Sequence, residues 1–155
     1  MQMSGAAYQV LLGNPLAENV TLWDDALRSC PFFSLVHSAT DISGLVSYLA
    51  GAGKFVDKTR YPLPDLVLLD LNLSGRGSGF DVLKWIQGQS TRSYRVVVLS
   101  AAADDVQCEQ AYALGADGFV TRPGSVDEMI RVLIRIEGWL RNSAVEDDPL
   151  EFCVA

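Results

Sequence analysis

At 155 residues the chain has the length of one ordinary domain, and 49% hydrophobic against 20% charged residues is a globular composition that excludes disorder. A net charge of -7, from 12 Lys+Arg against 19 Asp+Glu, argues against nucleic acid as a partner and favours a protein. Cys30, Cys108 and Cys153 are odd in number and lack a C-x-x-C pair, which argues against a disulfide framework and against a structural zinc site. No signal peptide and no apolar run of roughly 18 residues is present, so the expectation is a cytoplasmic protein without a membrane span.

The chain alternates short apolar runs with longer amphipathic stretches. Tyr8 to Leu12 reads as a first strand, and Leu16 to Cys30 as a helix with Val20, Trp23, Ala26 and Leu27 at helical spacing. Pro31 closes that helix, and Phe32 to His37 is a second strand. Asp41 caps a short helix through Ala50. Gly51 to Pro64 is a long, turn-rich connection carrying Lys54, Lys58 and Arg60, of a length that is often functional. Leu66 to Leu71 is a near-continuous apolar run interrupted by Asp70, the pattern of a parallel strand covered on both faces.

A Gly/Ser-rich loop, Ser74 to Gly79, leads into a helix from Phe80 to Gln87. Tyr94 to Leu99 is a fourth strand ending at Ser100, and Asp104 to Leu114 a helix stopped by Gly115. Gly118 to Thr121 is a short fifth strand. Ser125 and Glu128 form a capping box for a last helix that runs to about Leu140 or Arg141. Residues 1–7 are then an N-terminal extension, 8–141 the domain and 142–155 an acidic tail, for which disorder is the usual fate and packing on a second copy the alternative.

Strand and helix alternating five times predict an α/β fold: a doubly wound five-stranded parallel sheet with helices on both faces. Ligands of such sheets bind beyond the carboxyl ends of the strands. That edge holds Gly13 and Asn14, Asp70 to Ser74, Ser100 to Asp105, and Thr121 to Pro123. Asp70 stands out, because a carboxylate ending an apolar strand is costly to bury without compensation. Ser100 and the Asp104–Asp105 pair also read simply as cap and first-turn residues. His37 has no second ligand candidate near it in sequence and reads as structural.

Three motifs at these strand ends resemble the receiver domains of bacterial two-component response regulators. They are Pro64-Asp65-Leu66-Val67-Leu68-Leu69-Asp70-Leu71-Asn72-Leu73, Val96-Val97-Val98-Leu99-Ser100-Ala101, and Gly115-Ala116-Asp117-Gly118-Phe119-Val120-Thr121-Arg122-Pro123. The first is similar to stand-alone receivers paired with bacterial phytochrome kinases. The resemblance spans about residues 8 to 141 and implies a flavodoxin-like strand order, 2-1-3-4-5. It implies an aspartate that takes a phosphoryl group from a kinase phosphohistidine, a Mg2+ ion held by that aspartate and by acids after the first strand, a switch hydroxyl, a lysine and a switch aromatic.

Carried over, Asp70 is the phosphoacceptor, Ser100 and Phe119 are the switch pair, Arg122 and Asn72 are the phosphate contacts, and Asp70 with Asn14 is what remains of the magnesium set. The bond before Pro123 is expected to be cis. The resemblance also implies a sensor histidine kinase or other signalling protein as partner. A homodimer face of fourth helix, fifth strand and fifth helix follows, with Tyr112, Phe119, Met129 and Trp139 as candidate contacts, although Phe119 and Met129 read more readily as core.

Two residue-level departures stand against this. No acid occurs between Gln9 and Ala17, so the positions aligned with the acid pair are Gly13 and Asn14, a poor set for a hard cation. Arg122 replaces the lysine, and its planar fork can pair with Asp70 permanently and mimic an occupied site. The expected function is therefore a single-domain receiver, not an enzyme, acting by protein contact with atypical or lost Mg2+-dependent phosphorylation at Asp70. The alternatives are a phosphate-independent pseudo-receiver used for interaction or dimerisation, and a small-molecule-binding enzyme on the same fold. The last lacks a G-x-G-x-x-G after the first strand and a P-loop lysine.

Overall fold

The computed structural model describes residues 7–72, 78–89, 92–101, 105–142 and 150–152. The predicted alternation is present: β1 (Tyr8–Gly13), α1 (Ala17–Arg28), β2 (Phe33–Ala39), α2 (Ile42–Ala50), β3 (Leu66–Asp70), α3 (Gly79–Gln87), β4 (Arg95–Ser100), α4 (Asp105–Ala113), β5 (Gly118–Thr121) and α5 (Val126–Asn142). All strand pairings are parallel, and the first five strands stand in the expected order, β2-β1-β3-β4-β5. A sixth strand, β6 (Leu150–Phe152), extends the sheet beyond β5. The acidic tail thus contributes an element that its composition does not announce, pairing Gly118 with Leu150, Phe119 with Glu151 and Val120 with Phe152.

The side-chain alternation of the strands divides the core into two layers. Val67, Leu69, Val96, Val98 and Phe119 face one way and pack with Leu45, Leu49, Val82, Leu83 and Ala111 of α2, α3 and α4. Leu66, Leu68, Val97, Leu99 and Val120 face the other way, onto Trp23, Leu27, Met129, Leu133 and Ile136 of α1 and α5. Every residue of β3 is buried, Asp70 included. Each fully buried aliphatic side chain contributes about 1.5–3 kcal/mol relative to exposure, so this double-sided packing is the main support of the fold.

The helix ends follow the sequence signals. Asp41 accepts the Gly44 N–H at 2.7 Å, and Gly51 closes α2 with φ 68°, a conformation that favours glycine. Ser125 Oγ accepts the Glu128 N–H, while the Glu128 carboxylate reaches one residue further back than a capping box requires and accepts the Gly124 N–H at 2.7 Å.

The long connection after α2 contains a short 3₁₀ turn, Gly53–Val56, and is tied down by aromatic packing. Tyr48 stacks on His37 with ring centroids 5.0 Å apart, Phe55 meets both, and the Tyr48 hydroxyl donates to the Pro62 carbonyl at 2.6 Å. Burial, with Lys54 nearby, holds the His37 pKa below its ordinary 6.5. The folded state therefore binds a proton less readily than the unfolded chain, and His37 subtracts stability as pH falls below 6.5 towards its lowered folded value. Urea midpoints at pH 7 and pH 5 are expected to fall further in the wild type than in His37→Gln; parallel losses would refute the coupling.

Candidate functional site

The carboxyl edge of the sheet brings Asp70 and Arg122 together across 52 residues of sequence. The Leu71 N–H donates to the Leu99 carbonyl and the Arg122 N–H to the Ser100 carbonyl, at 3.0 and 2.6 Å. These bonds carry the ladder past the ends of β3 and β5 and fix where both side chains start. Arg122 Nε donates to Asp70 Oδ2 and Nη2 to Oδ1, both at 2.7 Å. The Asn72 backbone N–H donates to the same Oδ1 at 2.8 Å. The Asp70 side chain is 1% exposed and that of Arg122 23%. This is a bidentate, charge-assisted pair, the geometry that favours arginine over lysine.

The base beneath the pair is tight. Gly79 N–H donates to the Leu71 carbonyl at 3.0 Å, and a Cβ at Gly79 would lie 2.8 Å from Leu71 Cα and 2.9 Å from the Asp70 carbonyl oxygen. The first turn of α3 is thereby pressed against the end of β3, and only glycine permits that approach. Residues 73–77 of the Gly/Ser-rich loop lie outside the described residues, as do Asp104 and residues 102 and 103.

The remaining predicted site residues are placed as follows. Ser100 lies at the end of β4, and its hydroxyl donates to Gln107 Oε1 at 2.9 Å. Phe119 is completely buried in the core layer beneath α2, α3 and α4. Asn72 is exposed, and what reaches Asp70 is its main chain rather than its amide. Gln107 was not singled out from the sequence; its only signal is its place in the first turns of the helix that follows β4. Phe119 and Met129 are core residues and not surface contacts, whereas Tyr112 and Trp139 are partly buried, with Arg95 over the Trp139 ring. No described peptide bond is cis, so the bond before Pro123 is trans, the isomer that X–Pro bonds ordinarily favour.

The residues do not fit a magnesium ion. Asn14 is fully buried, but its Oδ1 accepts the Leu16 N–H at 3.0 Å, which leaves its Nδ2, a donor, as the buried atom without a partner. A free N–H group repels a cation that needs oxygen ligands. Both oxygens of Asp70 are already engaged by Arg122. No group of three or more His, Cys, Asp or Glu is placed to hold a metal among the described residues. The expected set of Asp70 and Asn14 is therefore not assembled: the amide oxygen is drawn into the turn that starts α1, and the guanidinium takes the place of a charge-neutralising ion.

Comparison with known proteins agrees with the fold. The Response regulator receiver domain family matches residues 34–134. The chain is 40% identical over 86 residues to the transcriptional regulatory protein KdpE of Mycobacterium tuberculosis, covering 56% of this chain and 36% of that protein. It is 33% identical over 93 residues to the phosphate regulon transcriptional regulatory protein PhoB of Escherichia coli, covering 59% and 40%. It thus spans between a third and two fifths of the curated relatives it matches. The phosphorylated cyanobacterial phytochrome response regulator RcpA superposes with a TM-score of 0.75 at 26% identity, over 90% of this chain and 98% of that one. The Mn(2+)-bound response regulator Rcp1 superposes at 0.70 with 22% identity, over 86% and 94%. A five-strand order of 2-1-3-4-5, an aspartate closing β3 and a family match over most of the sheet place this chain in the response regulator receiver domain family of two-component signalling.

Proposed function

We propose that this receiver works by protein contact with its phosphoacceptor position held by Arg122, so that Mg2+-dependent phosphorylation of Asp70 is lost or reduced to an atypical side reaction. The observation that carries this reading is the bidentate Arg122–Asp70 pair. A carboxylate attacks phosphorus with an oxygen lone pair, and phosphoryl transfer depends on positioning and charge neutralisation. Here both oxygens accept hydrogen bonds from one guanidinium, and among the described residues no cluster of acids is placed to hold a metal beside them. Attack would require breaking a buried ion pair first, which leaves Asp70 uncompensated.

In this reading Ser100 and Phe119 keep their places as the switch pair but stand in one arrangement, the hydroxyl on Gln107 and the ring inward. Arg122 and Asn72 occupy the phosphate-contact positions and serve Asp70 instead. The partner is a sensor histidine kinase or another signalling protein, met in the cytoplasm. No helix among the described residues is long and apolar enough to cross a membrane.

The test is incubation with Mg2+ and acetyl phosphate, followed by intact mass and by the fluorescence of Trp23, Trp85 and Trp139. The expected result is an unchanged mass and no metal-dependent fluorescence change in the folded wild type. A phosphoryl adduct that forms readily and vanishes in Asp70→Asn would overturn the proposal.

A further inference from the structure

We infer that the connection from Lys54 to Leu63 is a docking surface for an acidic, extended segment of a partner protein that carries an apolar anchor. Three cations stand on this stretch. Lys54 Nζ lies 5.3 Å from the Phe55 ring centroid and 5.9 Å from that of Tyr61, Arg60 lies 6.0 Å from Tyr61, and Lys58 lies 5.6 Å from Tyr48. None of the three pairs with a carboxylate among the described residues. The one acid between Ile42 and Pro64 is Asp57, and its Oδ1 is occupied by the N–H groups of Thr59 and Arg60.

All three residues are exposed, and Lys58 Nζ also donates to the Tyr48 carbonyl at 3.5 Å. The ring contacts restrict these side chains, so less side-chain freedom is lost when an anion is bound. The chain as a whole is acidic, with a net charge of -7 that includes these three cations, so a negatively charged segment is repelled elsewhere and drawn here. Apolar surface lies among the charges: Val56 is 71% exposed and Leu63 42%. Leu63 also lines an open cavity of about 270 Å3 with Leu49, Trp85, Gln89, Arg92 and Tyr94, which is sized for one side chain. An acidic segment with a leucine or aromatic residue satisfies both features, whereas a nucleic-acid backbone would leave the cavity unused.

The connection runs from the end of α2 to the start of β3. Both of its ends therefore lie at the amino edge of the sheet, about 13 Å from Asp70 by the rise along β3, and it does not depend on the chemistry of that site.

The experiment is fluorescence anisotropy with the full chain and a labelled twelve-residue glutamate peptide holding one central leucine. Binding is expected to weaken at least tenfold in Lys54→Glu/Arg60→Glu and on raising salt from about 50 to about 200 mM. A peptide with Gln in place of Glu should not bind. The control double variant Arg28→Glu/Arg131→Glu makes the same charge change on exposed positions of α1 and α5 and should bind as the wild type does. Circular dichroism checks that both variants are folded, and Lys54→Gln/Arg60→Gln should give an intermediate loss. No binding by the wild type, equal loss in the control variant, equal binding of the Gln peptide, or tighter binding of duplex DNA than of the glutamate peptide would each overturn the inference.

Discussion

Arg122→Met is expected to destabilise the protein by about 3 kcal/mol, the low end of the roughly 3–5 kcal/mol that breaking a buried ion pair costs. The low end applies because Arg122 retains 23% side-chain exposure and part of its charge is already solvated. The cost is asymmetric. Without the guanidinium, Asp70 is a carboxylate 1% exposed that keeps, among the described residues, the hydrogen bond from the Asn72 N–H. Without the carboxylate, Arg122 can turn to water, so Asp70→Asn alone should cost no more than about 1 kcal/mol. In the double variant, Asp70→Asn should restore most of what Arg122→Met removes, since a neutral amide needs no counter-charge. Urea denaturation of the four proteins closes the cycle. Additive effects would mean that the pair is not coupled and would remove the basis for a site held shut.

The second large effect is expected at Phe119. Phe119→Ala should cost about 3–5 kcal/mol and Phe119→Leu less than about 1.5 kcal/mol. The ring is completely buried and packs in the layer that joins β3 and β4 to α2, α3 and α4. An aromatic that spent half its time at the surface would support little, and its truncation would be inexpensive. A measured cost under about 1 kcal/mol for Phe119→Ala would show that the inward ring is not the ground state. A large cost ties the position named for switching to the stability of the whole sheet.

The fold was legible because its strands are nearly continuous apolar runs. Leu66 to Leu69 and Val96 to Leu99 permit no one-sided sheet, and the caps at Asp41 and Ser125 mark helix starts by chemistry that acts within four residues. The presence of Asp70, Ser100 and Arg122 at one edge was legible for the same reason, since the first two end their strands and the third follows one. What could not be read was orientation. The bonds from the Leu16 N–H to Asn14 and from the Asn72 N–H to Asp70 each span two residues, a turn that Asn and Asp favour, but the sequence does not say that this turn, rather than a ligand, takes the oxygen. The fork between Arg122 and Asp70 was open as a possibility, but its bidentate form depends on two strand ends held in register through β4. The trans bond before Pro123 departs from what the resemblance implied. β6 escaped because three residues with a charge in the middle have no periodicity to detect, and their pairing depends on an edge offered by β5.

That sixth strand has a colloidal consequence. A parallel sheet that ended at β5 would expose a rim of unpaired amide and carbonyl groups along Gly118–Thr121, flanked by strongly apolar neighbours, which is the kind of rim on which other chains template themselves. Among the described residues β6 covers that rim by pairing with Gly118, Phe119 and Val120, with Glu151 at its centre. A strand with a charged residue at its centre is a poorer template than an apolar one, so β6 guards β5 against edge-to-edge association of the sheet.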